Sequence, residues 1–170
     1  ISSAASDVYK RQDLVLKEVN LTLKVGQVYG VVGNNGSGKT VLMKCICGFL
    51  PVTTGTIRVF GKEIGCDVDF PESLGVIIET PGFLTQYTGA KNLEILADMK
   101  RMISKADIRL ILKKVGLDPD MKKPVGKYSL GMRQRLGIAQ AIMEDPRFLI
   151  LDEPFNGLDK HGVAEIRELL

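Results

Sequence analysis

The eight residues Gly33-Asn34-Asn35-Gly36-Ser37-Gly38-Lys39-Thr40 constrain this chain more than any other feature. They match the pattern G-x-x-x-x-G-K-[ST]. Glycines at 33, 36 and 38 let successive backbone N–H groups curl around phosphate oxygens. A helix opening directly behind them adds the partial positive charge of its N-terminus. The flanks suit such a loop. Val28-Tyr29-Gly30-Val31-Val32 reads as a short buried strand running into the turn, and residues 40–50 read as the helix leaving it. On this reading Gly33, Asn34, Asn35, Gly36, Ser37 and Gly38 cradle the phosphates of a nucleotide. Lys39 reaches the β- and γ-phosphates as a point charge, and the Thr40 hydroxyl binds Mg²⁺.

A second site lies more than a hundred residues downstream. The run 147–154, RFLILDEP, is an apolar strand that ends in two acids. Asp152, at the carboxyl end of that strand, is placed to hold Mg²⁺ through water. Glu153 then lies beside the γ-phosphate and can polarise the attacking water as general base. Taken alone, Asp-Glu-Pro after a strand could also merely start a turn. The phosphate loop upstream favours the catalytic reading.

Composition narrows the class. With 170 residues, 45% apolar and 25% charged, the chain can bury a real core. It has no Trp and only 6% aromatics, which argues against a base-stacking nucleic-acid binder. The apolar run 147–151 is far shorter than a membrane-spanning helix needs, and residues 1–12 hold no apolar stretch of the kind a signal peptide requires. Cys45, Cys47 and Cys66 lack metal-ligand spacing and read as free thiols in a reducing compartment; the first two, two apart, do not share a helix face. The net charge of +3 is unevenly spread. Residues 88–136 hold 12 Lys and Arg against 5 Asp and Glu, a balance of +7, so the remainder stands at −4. Solvated helix faces are the ordinary account of such a bias.

The order of elements is readable. Residues 14–23 alternate as a strand, and Val25-Gly26-Gln27 marks a turn. Residues 56–60 and 74–78 are further strands. Helical stretches follow at 92–102, after a capping sequence at Ser104–Asp107, and from Ser129 to Met143. Gly116 ends the second of these, and Pro146 lies just beyond the third. Strands at both ends with helices between predict an α/β core carrying a helical insertion at roughly 88–136.

Both ends are expected to be cut. One reading frame of the transposase adapter used to prepare sequencing libraries translates to Asp7-Val8-Tyr9-Lys10-Arg11-Gln12, so residues 1–12 read as adapter-derived or otherwise non-native; a native linker is the other reading. Leu170 falls inside an apparent helix with no stop signal. Residues 13–170 are therefore expected to be a domain incomplete at its C-terminus.

Three further segments fix the family. Residues 128–146, YSLGMRQRLGIAQAIMEDP, precede the acidic strand; 155–159, FNGLD, follow it; 79–93, ETPGFLTQYTGAKNL, lie between. With GNNGSGKT these resemble, in the family's order and across residues 13–170, the nucleotide-binding domain of ABC transporters. The resemblance implies an α/β phosphate-loop NTPase core of ABC ATPase type, with an antiparallel β part and a helical insertion. It implies ATP and Mg²⁺ as ligands. By it, Ser129 and Gly131 are signature residues that face the ATP bound by a second nucleotide-binding domain in a head-to-tail dimer. Asp159 is the D-loop aspartate. Glu79 stands where the family has the Q-loop glutamine, with Thr88 and Asn92 at the family's intervals; it can still bind Mg²⁺ or its water through one oxygen, but its water-positioning role is in doubt. Glu79, Pro81-Gly82-Phe83 and the YSLGM signature together resemble the branch that exports bacitracin-type and lantibiotic peptides.

The same resemblance implies the ATP-binding and hydrolysing subunit of a bacterial exporter, peripheral on the cytoplasmic face of the membrane and working through a separate permease. No direct nucleic-acid contact is expected. A soluble ribosome-associated ABC ATPase is the alternative, and a second phosphate loop downstream would favour it. A coiled-coil DNA-repair ATPase does not fit the short span from Lys39 to Ser129. The adenine-stacking aromatic is not placed, since Tyr9 falls in the suspect segment. The switch histidine is expected beyond Leu170, so the chain as given should hydrolyse ATP weakly or not at all. His161 reads as a surface residue at a helix start.

Overall fold

The structure, a computed structural model, describes residues 1–10 and 13–170, and the side chains of residues 15–170 together with those of Ile1 and Ser2. Two compact units divide it, Ile1–Glu72 and Ser73–Leu170.

The first unit is built on an antiparallel sheet. Strands β1 (Ser2–Lys10), β2 (Asp13–Thr22), β3 (Thr54–Val59) and β4 (Lys62–Glu63) lie in the order β2-β1-β3-β4. β1 lies on the segment suspected from its sequence, and pairs Ser2 with Thr22 on one side and with Arg58 on the other. In β3 the pleat sorts the side chains: Ile57 and Val59 are buried and Arg58 faces out to Glu63 on β4, at 2.9 Å. Helix α1 (Lys39–Ile46) buries Cys45 and Ile46, and Cys47 follows at its C-cap, fully buried. The helix is shorter than the expected 40–50. Gly48, at φ 81°, turns the chain left-handed just past the C-cap and ends it.

The apolar run 28–32 is not a strand, contrary to expectation. Val28 and Val32 are 94% and 95% exposed, and no described strand pairs with this run. An apolar run becomes a buried strand only where a ladder takes its N–H and C=O groups and a second layer covers its side chains. In this unit, neither reaches it.

The second unit carries two parallel strands, β5 (Leu74–Ile77) and β6 (Phe148–Leu151), paired from Leu74↔Phe148 to Ile77↔Leu151. Parallel neighbours need a crossover, and here it holds three helices: α2 (Gly89–Lys100), α3 (Lys105–Lys114) and α4 (Leu130–Ile142). α5 (Lys160–Leu169) follows β6. The helix starts are written locally. Thr88 Oγ1 accepts the Lys91 N–H at 3.2 Å, so α2 begins three residues before the expected Asn92. Ser104 and Asp107 form a reciprocal capping box at α3, the Asp reaching the Ser104 backbone N–H at 2.8 Å. Leu93, Ile108, Leu112, Val115, Leu136, Ile138 and Ile166 pack into one core among these elements. Removing one such side chain, as in Leu136→Ala, costs about 2–5 kcal/mol.

Candidate functional site

The loop 33–40 lies in the first unit, between the run 28–32 and helix α1. Gly38 is the N-cap of α1 at φ 88°, a left-handed conformation suited to glycine. A Cβ there would meet Leu16 Cδ2 at 2.8 Å and the Val15 carbonyl oxygen at 3.3 Å, so the loop lies hard against β2. The Ser37 N–H donates to the Asn34 carbonyl at 3.1 Å, tightening the turn. Lys39 folds back over the loop, its Nζ donating to the carbonyls of Gly33 at 2.7 Å and Asn34 at 2.9 Å. A phosphate oxygen offers that ammonium a stronger, charge-assisted partner than either carbonyl. Thr40 occupies the second position of α1, half-buried.

The acids lie in the second unit, beyond the carboxyl ends of the parallel strands. The Asp152 N–H donates to the Ile77 carbonyl at 2.7 Å, carrying the ladder one step past β6. Glu153 follows at φ 49° and is exposed. Glu79 takes the same place after β5, at φ 62° and exposed. No cluster of three or more His, Cys, Asp or Glu suited to holding a metal occurs among the described residues. Thr40, Asp152 and Glu79 offer only hard oxygens, the donor class Mg²⁺ prefers.

The signature segment and the FNGLD loop meet. Ser129 caps α4, its Oγ accepting the Met132 N–H at 3.2 Å. A hydroxyl accepts and donates at once, so the cap leaves its proton for a phosphate oxygen. A Cβ on Gly131 would stand 2.8 Å from the Gly157 carbonyl oxygen, and one on Gly157 would strike Leu130. The start of α4 thus rests on residues 157–158. Asp159 closes that loop as the N-cap of α5, Oδ1 accepting the Gly162 N–H at 2.7 Å. His161 is exposed at the second position of α5, 3.2 Å from Glu165.

Comparison with known proteins places this arrangement. The ABC transporter family profile matches residues 16–156. The chain belongs to the ABC transporter family. The bacitracin transport ATP-binding protein BcrA of Enterococcus faecalis is 46% identical over 157 residues, covering 92% of this chain and 51% of that protein. The lantibiotic transport ATP-binding protein SrtF of Streptococcus pyogenes is 40% identical, covering 92% and 67%. The chain therefore spans about half the length of the bacitracin relative. A bacterial ABC transporter cassette solved as a dimer superposes with a TM-score of 0.86 over 99% of this chain and 80% of that one, at 20% identity. The fold is the α/β fold of ABC cassettes.

Three residues make contacts that the motifs did not announce. Tyr128 is buried, and its Oη accepts the Gly89 N–H at 3.2 Å, tying the signature to the start of α2. Asn92, 5% exposed, binds the loop ahead of it: Oδ1 accepts the Leu84 N–H at 2.8 Å and Nδ2 donates to the Thr88 carbonyl at 2.9 Å. Gln134, 8% exposed, donates from Nε2 to the Pro154 carbonyl at 3.0 Å and the Glu153 carbonyl at 3.4 Å. A signal existed for the last. Gln134 shares a face of α4 with the apolar Ile138 and Ala141, and a polar residue on a buried face needs partners. The side chain of Tyr9 lies outside the described residues.

Proposed function

We propose that this chain is the ATP-binding and hydrolysing part of a bacterial exporter of bacitracin- or lantibiotic-type peptides. One observation carries the nucleotide reading: Gly33–Thr40 forms a glycine-turned loop against β2 that opens α1, with Lys39 drawn across it. The exporter reading is supported by the relatives named as transport ATP-binding proteins. Nothing in those names favours the ribosome-associated alternative.

The loop N–H groups and Lys39 bind the phosphates of ATP. Thr40, Asp152 and Glu79 would hold Mg²⁺, which would neutralise charge on the phosphate oxygens. The Glu153 carboxylate takes a proton from water as its oxygen attacks the γ-phosphorus, giving ADP and phosphate. Ser129 and Gly131 face the γ-phosphate held by a second copy in a head-to-tail pair, and Asp159 stands at the contact between the two. The basic helical segment 88–136, with Lys113, Lys114 and Lys122 exposed, meets the permease on the cytoplasmic face of an anionic membrane. Residues 13–170 are ATPase domain in this reading, and 1–12 are not native to it.

Lys39→Ala in the full natural chain tests the nucleotide site. Binding of a fluorescent ATP analogue should weaken at least tenfold, and unchanged binding would overturn the assignment. Cells deleted for the gene and its neighbouring permease should become more sensitive to a bacitracin-type peptide. Equal sensitivity would remove the exporter reading and leave the ATP site standing.

A further inference from the structure

Glu153 carries a side chain in a left-handed backbone conformation, φ 49°, and its neighbour Pro154 has no N–H to offer a ladder. Such a turn needs to be held from outside. Part of the hold is local: the Asn156 N–H donates to the Glu153 carbonyl at 3.1 Å. The rest comes from α4. The buried Gln134 amide donates to two consecutive carbonyls, those of Pro154 at 3.0 Å and Glu153 at 3.4 Å. An amide NH₂ is one of the few neutral groups that can serve two acceptors from one nitrogen.

We propose that Gln134 is a positioning residue for catalysis: its amide fixes the Glu153–Pro154 turn and thereby aims the Glu153 carboxylate at the attacking water. This rests on the reading of Glu153 as general base. Gln134 also lies about one and a half helical turns after Ser129, the cap of α4. The helix that presents Ser129 to one ATP therefore grips, through one side chain, the base that serves another. A shift of α4 reaches Glu153 through these two hydrogen bonds.

The test is a double-mutant cycle in the full natural chain. Gln134→Met keeps length and helix propensity but donates nothing. Gln134→Glu keeps shape but sets acceptors against two carbonyls. Each should lower kcat about 10- to 100-fold while KM for ATP stays within about twofold, the mark of an interaction that acts in the transition state. In a Glu153→Gln background Gln134→Met should lower the residual rate by less than twofold, since the group it positions is gone. Wild-type kcat in both single variants overturns the proposal, as does an equal loss from Gln134→Met with and without the Glu153 carboxylate. If Gln134→Met loses ATP binding through misfolding, Gln134→Glu takes its place in the cycle. Full turnover by Glu153→Gln alone is a separate outcome that removes Glu153 as base.

Discussion

Glu79 and Glu153 stand at matching stations on neighbouring strands. Ile77 pairs with Leu151 in the parallel ladder, and each glutamate lies two residues beyond its strand. Both take a left-handed backbone, at φ 62° and 49°. Two carboxylates are thereby presented from the carboxyl ends of the strands, where ligands of open α/β sheets bind. Both side chains are exposed.

The two should separate by function. Glu153→Gln in the full natural chain is expected to keep ATP affinity within about threefold and cut turnover at least about 100-fold, the scale of a lost general base. A phosphate-release assay beside nucleotide binding decides it. Turnover close to wild type would remove Glu153 from the base role.

Glu79→Gln should behave differently. A neutral amide keeps one oxygen for Mg²⁺ but loses the charge, a change of about 1 kcal/mol in a charge-assisted contact. The Mg²⁺ concentration for half-maximal turnover should rise about fivefold, while maximal turnover at saturating Mg²⁺ stays within a few-fold. A Mg²⁺ titration of ATPase rate reads this. An unchanged half-saturation point would exclude Glu79 from the metal.

Much of this arrangement was legible because it depends on local rules. Ser104 with Asp107, and Ser129, announce helix starts through short side chains that cap backbone N–H groups, and each caps a helix in the structure. The phosphate-loop pattern announces itself through glycines in fixed register with Lys39 and Thr40. Long-range effects were not legible. The run 28–32 has strand composition, yet its state depends on which backbone reaches it, and apolarity cannot report that. The hold of Gln134 on residues 153–154 joins positions about twenty apart, which no local pattern encodes. Tyr128 likewise has its partner, the Gly89 N–H, 39 residues upstream.

The cysteines should differ sharply in reactivity. Burial raises the Cys45 thiol and pushes that of Cys47 up to about 12. At pH 8 a thiol titrating near 12 is thiolate in only roughly one molecule in ten thousand. Both are also shielded, while Cys66 is exposed. A colorimetric disulfide reagent should titrate one thiol rapidly in the native chain and three after unfolding. Two or more fast equivalents in the native state would contradict the packing of α1.

The α3 capping box predicts a pH effect with a definite sign. The Ser104 hydroxyl donates to Asp107 Oδ2 at 2.7 Å and the Ser104 backbone N–H adds a second bond at 2.8 Å. These bonds hold the Asp107 carboxyl below its ordinary value, the hydroxyl being the larger cause. A carboxyl lowered on folding binds its proton more readily in the unfolded chain. Its contribution to stability is therefore complete above the ordinary aspartate value, near pH 4, and is lost as pH falls through the lower folded value. Ser104→Ala removes the hydroxyl donor and leaves the backbone one. The Asp107 midpoint, followed by NMR of its side-chain carboxyl, should move up but stay below that of an unfolded aspartate. The lost cap at α3 should cost about 1 kcal/mol at neutral pH, and the difference between variant and wild type should shrink below pH 4 as both carboxyls protonate. A difference that grows on acidification would mean that Asp107 is not held by Ser104 in solution.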